Sequence, residues 1–255
     1  MAVLVLLVLG AALFAQAVVR LRRRGRADKA GWDRVALFAL GLALVWVALL
    51  SPLDAVAEEK LLGGHMAQHV LIGDLAPALL TLAVRGPLLV FLLPAAVLAP
   101  LARSRVRGWL STLLRPRVAF TIWAANLAVW HIPWLYDSAL AHDSVHYAEH
   151  ASWVLAGLLV WSLLIDPGSH RRLTNGGRVA LAAAMFACGQ VLTDVLVFTF
   201  HPLYPAYSGA YGISATTDQQ LAGVTMMAEQ VLTLGTLAFV LLRPRLRRLQ
   251  AAVPA

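Results

Sequence analysis

The stretch Gly86-Pro-Leu-Leu-Val-Phe-Leu-Leu-Pro-Ala-Ala-Val-Leu-Ala-Pro-Leu-Ala-Arg103 decides how the rest of the chain is threaded. It is apolar enough for lipid, yet Pro87, Pro94 and Pro100 interrupt it. Proline removes a backbone donor and collides with the preceding turn, and within a bilayer no water replaces the lost hydrogen bond. The arginines that follow, Arg103, Arg105, Arg107, Arg115 and Arg117, supply a second test. Basic residues in short loops mark the cytoplasmic side of a membrane protein. If 86–101 crosses, these arginines land outside and every later loop inverts. If it lies at the interface or re-enters, they share one side with Arg85 and the basic segments 20–34, 171–178 and 243–248. Lys60 is then the only Lys or Arg elsewhere.

Working outward, apolar spans fall at about 2–19, 35–50, 65–84, 117–134, 146–165, 178–200 and 220–242, near the ~20 residues a crossing needs. The reading is all-α: a polytopic membrane helix bundle forming one domain over residues 1–255. It has seven crossings, eight if 86–101 also spans, with the N-terminus outside and the C-terminus in the cytoplasm. Composition agrees, since 60% of residues are hydrophobic and only 13% charged, against about 25% charged in soluble domains. The net charge of +8 sits in loops between apolar runs, which fits orientation and anionic lipid and argues against a nucleic-acid partner. Met1 to Val19 has no basic start and no clean small-residue cleavage site, so it reads as an uncleaved first span. Cys188 is the single cysteine, which excludes an intrachain disulfide and any Cys-x-x-Cys metal or redox motif.

Histidine carries the chemistry. His65 and His69 are four residues apart, as are His146 and His150, so each pair lies on one helix face. His142 extends the second series but precedes the expected helix start. His131 closes the span 117–134, His201 closes 178–200, and Asp218 precedes the last span. All of these lie at one membrane level, opposite the arginines. Two His-x-x-x-His steps on separate helices at one depth are a metal-binding pattern. Met66 adjoins the first pair, and thioether sulfur suits copper(I), whereas imidazole suits copper or zinc. Glu149 is placed to orient an imidazole as an outer acceptor. Gln190, Asp194 and His201 share a stripe, as do Asp218, Thr225 and Glu229. Asp74 falls nine residues after His65, on nearly the opposite helix face, where packing against Asn126 competes with a site role. His170, among Arg171 and Arg172, reads as a solvated loop residue.

These residues also form a familiar order. Ser51-Pro-Leu-Asp54, His65-Met-Ala-Gln-His69, Pro77 with Gly86-Pro87, Trp130-His-Ile-Pro133, Tyr136-Asp137, His146 with Glu149-His150, and Asp218-Gln-Gln-Leu-Ala-Gly-Val-Thr-Met226 follow one another. Together they resemble the CtaG-type, multi-span cytochrome c oxidase assembly proteins over about residues 40–242. The single-span periplasmic copper chaperone that shares the name is a different protein. The resemblance implies a non-enzymatic, multi-pass protein of the bacterial plasma membrane that serves haem-copper oxidase maturation. Its implied partners are oxidase subunits or their copper chaperones, besides the lipid bilayer.

Carried onto this sequence, the resemblance points to His65, Met66, His69, His131, His146, His150 and Asp218 as metal ligands. Glu149, Asp194 and His201 are expected to support them, with copper as the expected metal and zinc as the alternative. A ceramidase-like intramembrane zinc hydrolase, with Asp194 or Glu149 as base, and a metal-free scaffold are the competing readings. A haem-binding cytochrome fits less well, because the histidines gather at helix ends.

The threading has a direct test. Alkaline phosphatase fused after Glu59 or Gly212 is expected to be active, and fused after Lys29 or Leu114 inactive. Activity after Leu114 would make 86–101 a full crossing.

Overall fold

The computed structural model describes residues 1–252, and the regular structure among them is helical throughout. Two long helices open the chain, α1 (Ala2–Arg23) and α2 (Trp32–Leu50), followed by the short α3 (Pro52–Glu59). Next comes α4 (Leu62–Ala83). Three short helices follow, α5 (Pro87–Phe91), α6 (Ala95–Arg103) and α7 (Arg105–Leu113). The chain then forms α8 (Pro116–Trp130), α9 (Pro133–Ala141), α10 (Asp143–Ile165) and α11 (Asn175–Phe198). The last span is α12 (Ala215–Pro244), whose helix runs on to Ala252.

Six of these helices are long and apolar enough to cross a membrane, and the count reaches seven if α8 and α9, which bend by 78° at His131-Ile132-Pro133, are taken as one broken span. The expected span 117–134 is therefore shorter than the sequence suggests. Alone, α8 has 15 residues, or about 22 Å of helix against a hydrocarbon core of ~30 Å. Pro133 starts α9, where its missing amide costs nothing. No continuous helix runs through 86–101, because the chain breaks between Phe91 and Ala95. Gln16 of α1 covers that break, donating to the carbonyls of Leu92 at 2.7 Å and Phe91 at 3.3 Å.

Two apolar cores hold the bundle. The larger joins α4, α8, α10, α11 and α12 through residues such as Ile72, Trp123, Val160, Met185 and Leu234. The smaller joins α1 and α2 to the end of α4 and to α5, with Phe14 stacked on Phe38 at 3.9 Å. Much of α1 remains exposed, including Leu4, Val5, Leu6, Val8 and Leu9, the surface of a helix that faces lipid. The closest helix crossing is α4 on α10: a Cβ on Gly157 would lie 1.9 Å from the Gly73 carbonyl oxygen. Glycine there lets two backbones touch, a contact that takes the place of hydrophobic driving force between helices in lipid.

Both α4 and α12 are interrupted by one π turn, Leu71–Leu75 and Val231–Gly235 respectively. Such a turn inserts an extra residue and rotates everything beyond it by about 100°. Asp74 lies within the first. It accepts a hydrogen bond from Trp161 at 3.2 Å instead of packing on Asn126, while Asn126 accepts from Trp130 at 3.1 Å.

Replacing Gly157 by leucine forces α4 and α10 apart. The variant is expected to lose about 3 kcal/mol or more, read as a lower melting temperature in detergent, while Gly108→Leu, whose Cβ would meet open space, should melt as the parent does.

Candidate metal centre

Three helices start at the same level as the end of a fourth. The first turns of α4, α10 and α12 carry His65 and His69, His146 and His150, and Asp218, and His131 follows the last residue of α8. A buried helix start leaves amides without partners. Asp218 meets that need for α4, its two carboxylate oxygens accepting from the amides of Leu62 at 2.7 Å and Gly63 at 2.9 Å. Both oxygens are thus committed to backbone. Asp218, expected as a ligand, instead fixes the helix that presents His65 and His69.

The four imidazoles of α4 and α10 form one cluster. Ring centroids lie 4.3 Å apart for His65 and His69 and 4.1 Å for His146 and His150. Across the helices, His65 and His146 are separated by 5.6 Å, as are His69 and His150. Every one of these side chains is buried. Two overlapping sets of donor atoms lie within 4.8 Å of one another: His65, His146 and His150, and His65, His69 and Glu149. His65 belongs to both.

Hydrogen bonds assign the protons. Tyr207 donates its hydroxyl hydrogen to the Ala57 carbonyl at 2.6 Å, so its oxygen is left to accept from His65 Nδ1 at 3.0 Å. Burial pushes the Tyr207 phenol well above its ordinary value, which keeps that hydrogen in place. His131 Nδ1 donates to the Leu127 carbonyl at 2.8 Å. His146 Nδ1 donates to Glu58 at 3.0 Å. Partial burial, with Asp54 and Asp143 nearby, raises the Glu58 carboxyl above its usual range. In all three rings the proton sits on Nδ1 and the lone pair on Nε2. This is how metal-binding histidines are oriented elsewhere: an outer acceptor holds one nitrogen and frees the other.

Several polar atoms of the cluster lack partners. His146 Nε2, His150 Nε2, His69 Nδ1 and both carboxylate oxygens of Glu149 are buried without a hydrogen bond. Glu149 has no exposed surface at all, and the imidazole of His69 lies 3.5 Å from one of its oxygens. A buried carboxylate with no donor is costly unless a cation meets it. His65 Nε2 and His69 Nε2 approach to 2.9 Å, so with the His65 proton on Nδ1 the His69 ring donates from Nε2 to the His65 lone pair. The donor set therefore fits a metal ion by composition, burial and charge.

A second feature lies one turn deeper. His131 Nε2 is 3.4 Å from the Met66 sulfur. Both line a small cavity of about 30 Å³ with His69, Asp74, Met226 and Glu229, room for a water molecule or two. Asp74 comes into that lining through the π turn that holds it.

Two expected supports stand apart. Asp194 is exposed on α11 and accepts from Gln190 at 2.7 Å. His201 is exposed beyond that helix, and its backbone carbonyl accepts from Gln219 at 3.4 Å. His142 is likewise exposed, bonded through Nδ1 to the Ser138 carbonyl at 3.0 Å. The residues that sequence reasoning missed are the anchors. Tyr207 comes from the loop between α11 and α12, Glu58 and Ala57 from α3, and nothing in their spacing points to the histidines. The motif Ser51-Pro-Leu-Asp54 gave the nearest signal. Ser51 caps α3 by accepting from Leu53 at 3.1 Å, Pro52 fills its first turn, and Asp54 accepts from Gln68 of α4 at 2.6 Å.

No curated protein and no solved structure matches the chain. A family model does, that of the cytochrome c oxidase caa3 assembly factor (Caa3_CtaG), over residues 12–248. With nearly the whole chain matched, and with a polytopic helical bundle around a buried histidine cluster, the protein belongs to the Caa3_CtaG family of cytochrome c oxidase assembly factors.

Proposed function

We propose that the protein holds copper(I) in the histidine cluster and hands it over during maturation of a haem-copper oxidase, without catalysing a reaction. The carrying observation is Glu149: a fully buried, unpartnered carboxyl that offers an oxygen within 4.8 Å of donor atoms of His65 and His69. His65, His69, His146 and His150 would hold the ion with Glu149 as the balancing charge, and Met66 with His131 would offer a sulfur and a nitrogen donor at the adjoining cavity that His69 also lines. Glu149 thus moves from the expected support role to the donor set. Tyr207 and Glu58 would keep the rings in the binding tautomer. Copper would supply no chemistry beyond its own transfer.

The choice of copper over zinc rests on sulfur. Met66 reaches His131, and Met226 lines the same cavity. Thioether ligands favour copper(I), and zinc has little use for them. The hydrolase reading needs an apolar chamber beside the metal for an acyl chain. The cavity that adjoins the histidines, at about 30 Å³, is too small for one. In this reading the membrane is the bacterial plasma membrane, the cluster lies on its extracytoplasmic side, and the recipients are oxidase subunits or their copper chaperones. The opposition of basic loops and histidines along the chain supports that orientation.

Elemental analysis of purified protein from copper-supplied cells should find about one copper per chain. His65→Ala/His69→Ala should lose nearly all of it, together with oxidase maturation in the same cells. Zinc lost in place of copper would turn the reading to the hydrolase, and no metal in either protein would leave a scaffold.

Glu149→Gln is expected to weaken copper binding by about 10- to 100-fold without lowering the melting temperature of metal-free protein, since it removes a buried charge. A drop in stability with unchanged copper affinity would make Glu149 a packing residue. Tyr207→Phe should cost about tenfold in affinity by freeing the His65 tautomer, read by competition with a copper(I) chelator.

A further inference from the structure

A second cavity, larger than the one beside the histidines, lies towards the basic side of the bundle and shares no residue with the histidine cluster. It is a groove of about 630 Å³ between α8 and α10, walled by Leu113, Leu114, Ile122, Leu155, Leu159 and Leu163. It rises from His170 and Arg172 at its mouth to Asn126 and Ser152 at its top. Along α10, Asp166 to Ser152 is about 21 Å of helix, more than half the ~30 Å hydrocarbon core. An acyl chain entering from the basic side fits within that length.

The mouth is built, and its charge is positive. Asp166 is the acid at the mouth, and its oxygens are already taken, by the amides of His170 at 2.8 Å and Arg171 at 2.9 Å and by the Arg178 guanidinium at 3.0 Å. Asp166, Ser169 and Arg171 all adopt left-handed backbone, with φ of 54°, 55° and 52°. The turn is tied to the start of α5 by the Gly86 amide, which donates to Pro167 at 2.6 Å. Its shape is therefore fixed while Arg172 keeps its donors nearly free, touching only Ser111 of α7 at 3.4 and 3.5 Å. Arg105 and Arg107 of that same helix are exposed. Trp109, 74% exposed, gives α7 an amphipathic anchor at the interface.

We infer that this groove is a binding site for an anionic phospholipid, one acyl chain lying along Leu155 and Leu159 and the phosphate meeting Arg172 and His170. A basic pocket between membrane helices at the headgroup level is the arrangement that selects such lipids. The charge complementarity at the mouth distinguishes it from an ordinary lipid-facing crevice.

The test is native mass spectrometry of the full chain taken from nanodiscs of equal phosphatidylglycerol and phosphatidylethanolamine. Wild type should retain phosphatidylglycerol in preference. Arg172→Ala should reduce that preference about fivefold, and Ser162→Phe, which fills the groove and leaves the cations in place, should reduce retention of either lipid. Melting temperature and copper content, measured alongside, identify a variant that has merely misfolded. Equal retention of both lipids by wild type would overturn the proposal, as would an unchanged preference in folded Arg172→Ala or undiminished lipid retention in folded Ser162→Phe. Neither result bears on the histidine cluster.

Discussion

A helix that begins inside an apolar bundle must find partners for its first amides, and α4 finds them in a residue 155 positions later in the chain. Asp218 closes the start of α4, so the position of α12 and that of His65 are set by one carboxylate. Gly63 makes the approach possible: a Cβ there would come within 3.1 Å of an Asp218 oxygen. The rest of the metal centre inherits this arrangement. Once α4 begins at Leu62, His65 and His69 fall one turn apart on the face turned to α10, and Gly73 meets Gly157 two turns further down.

The interior is polar because the site requires it, and the fold contains that polarity in two ways. Outward-facing ring nitrogens are satisfied by a carbonyl, a phenol and a carboxylate. Among the remaining atoms, His69 Nδ1, His146 Nε2, His150 Nε2 and both Glu149 carboxyl oxygens stay unpaired. A packing cluster would satisfy every such atom, since an unmet polar atom in a membrane interior costs several kcal/mol. That surplus of unpaired donor atoms sets this cluster apart from histidines buried for packing.

Much of this was legible from residue order. Apolar length and arginine placement carry the helical class, the order of the spans and the broken character of 86–101, because those properties follow from solvation and act locally. The His-x-x-x-His steps carry the core of the cluster, because helical spacing converts directly into a shared face. What escaped depends on distant contacts. Asp218 looks like a ligand in sequence and is a cap in space, since only the fold shows which amides lie beside it. Asp194 and His201 share a stripe with Gln190, but that stripe faces away from the cluster. Regular spacing leaves Asp74 open between packing and a site role, because the π turn that shifts its helical phase towards the small cavity is not visible in residue order. The bend after Trp130 is signalled by Pro133, yet its 78° angle is not.

The eight-residue helix α3 carries two of the anchors: Ala57, which receives the Tyr207 hydroxyl, and Glu58, which holds His146. One small outer element therefore sets the proton positions of two ligands on two different helices. It is held to α4 by the Gln68 side chain, which donates to Asp54, and by Val56 and Ala57 packed on Gly64. Displacing α3 would release both rings together, through a contact that touches none of the nitrogens facing the cluster. In mechanical terms α3 is a latch whose handle lies outside the site.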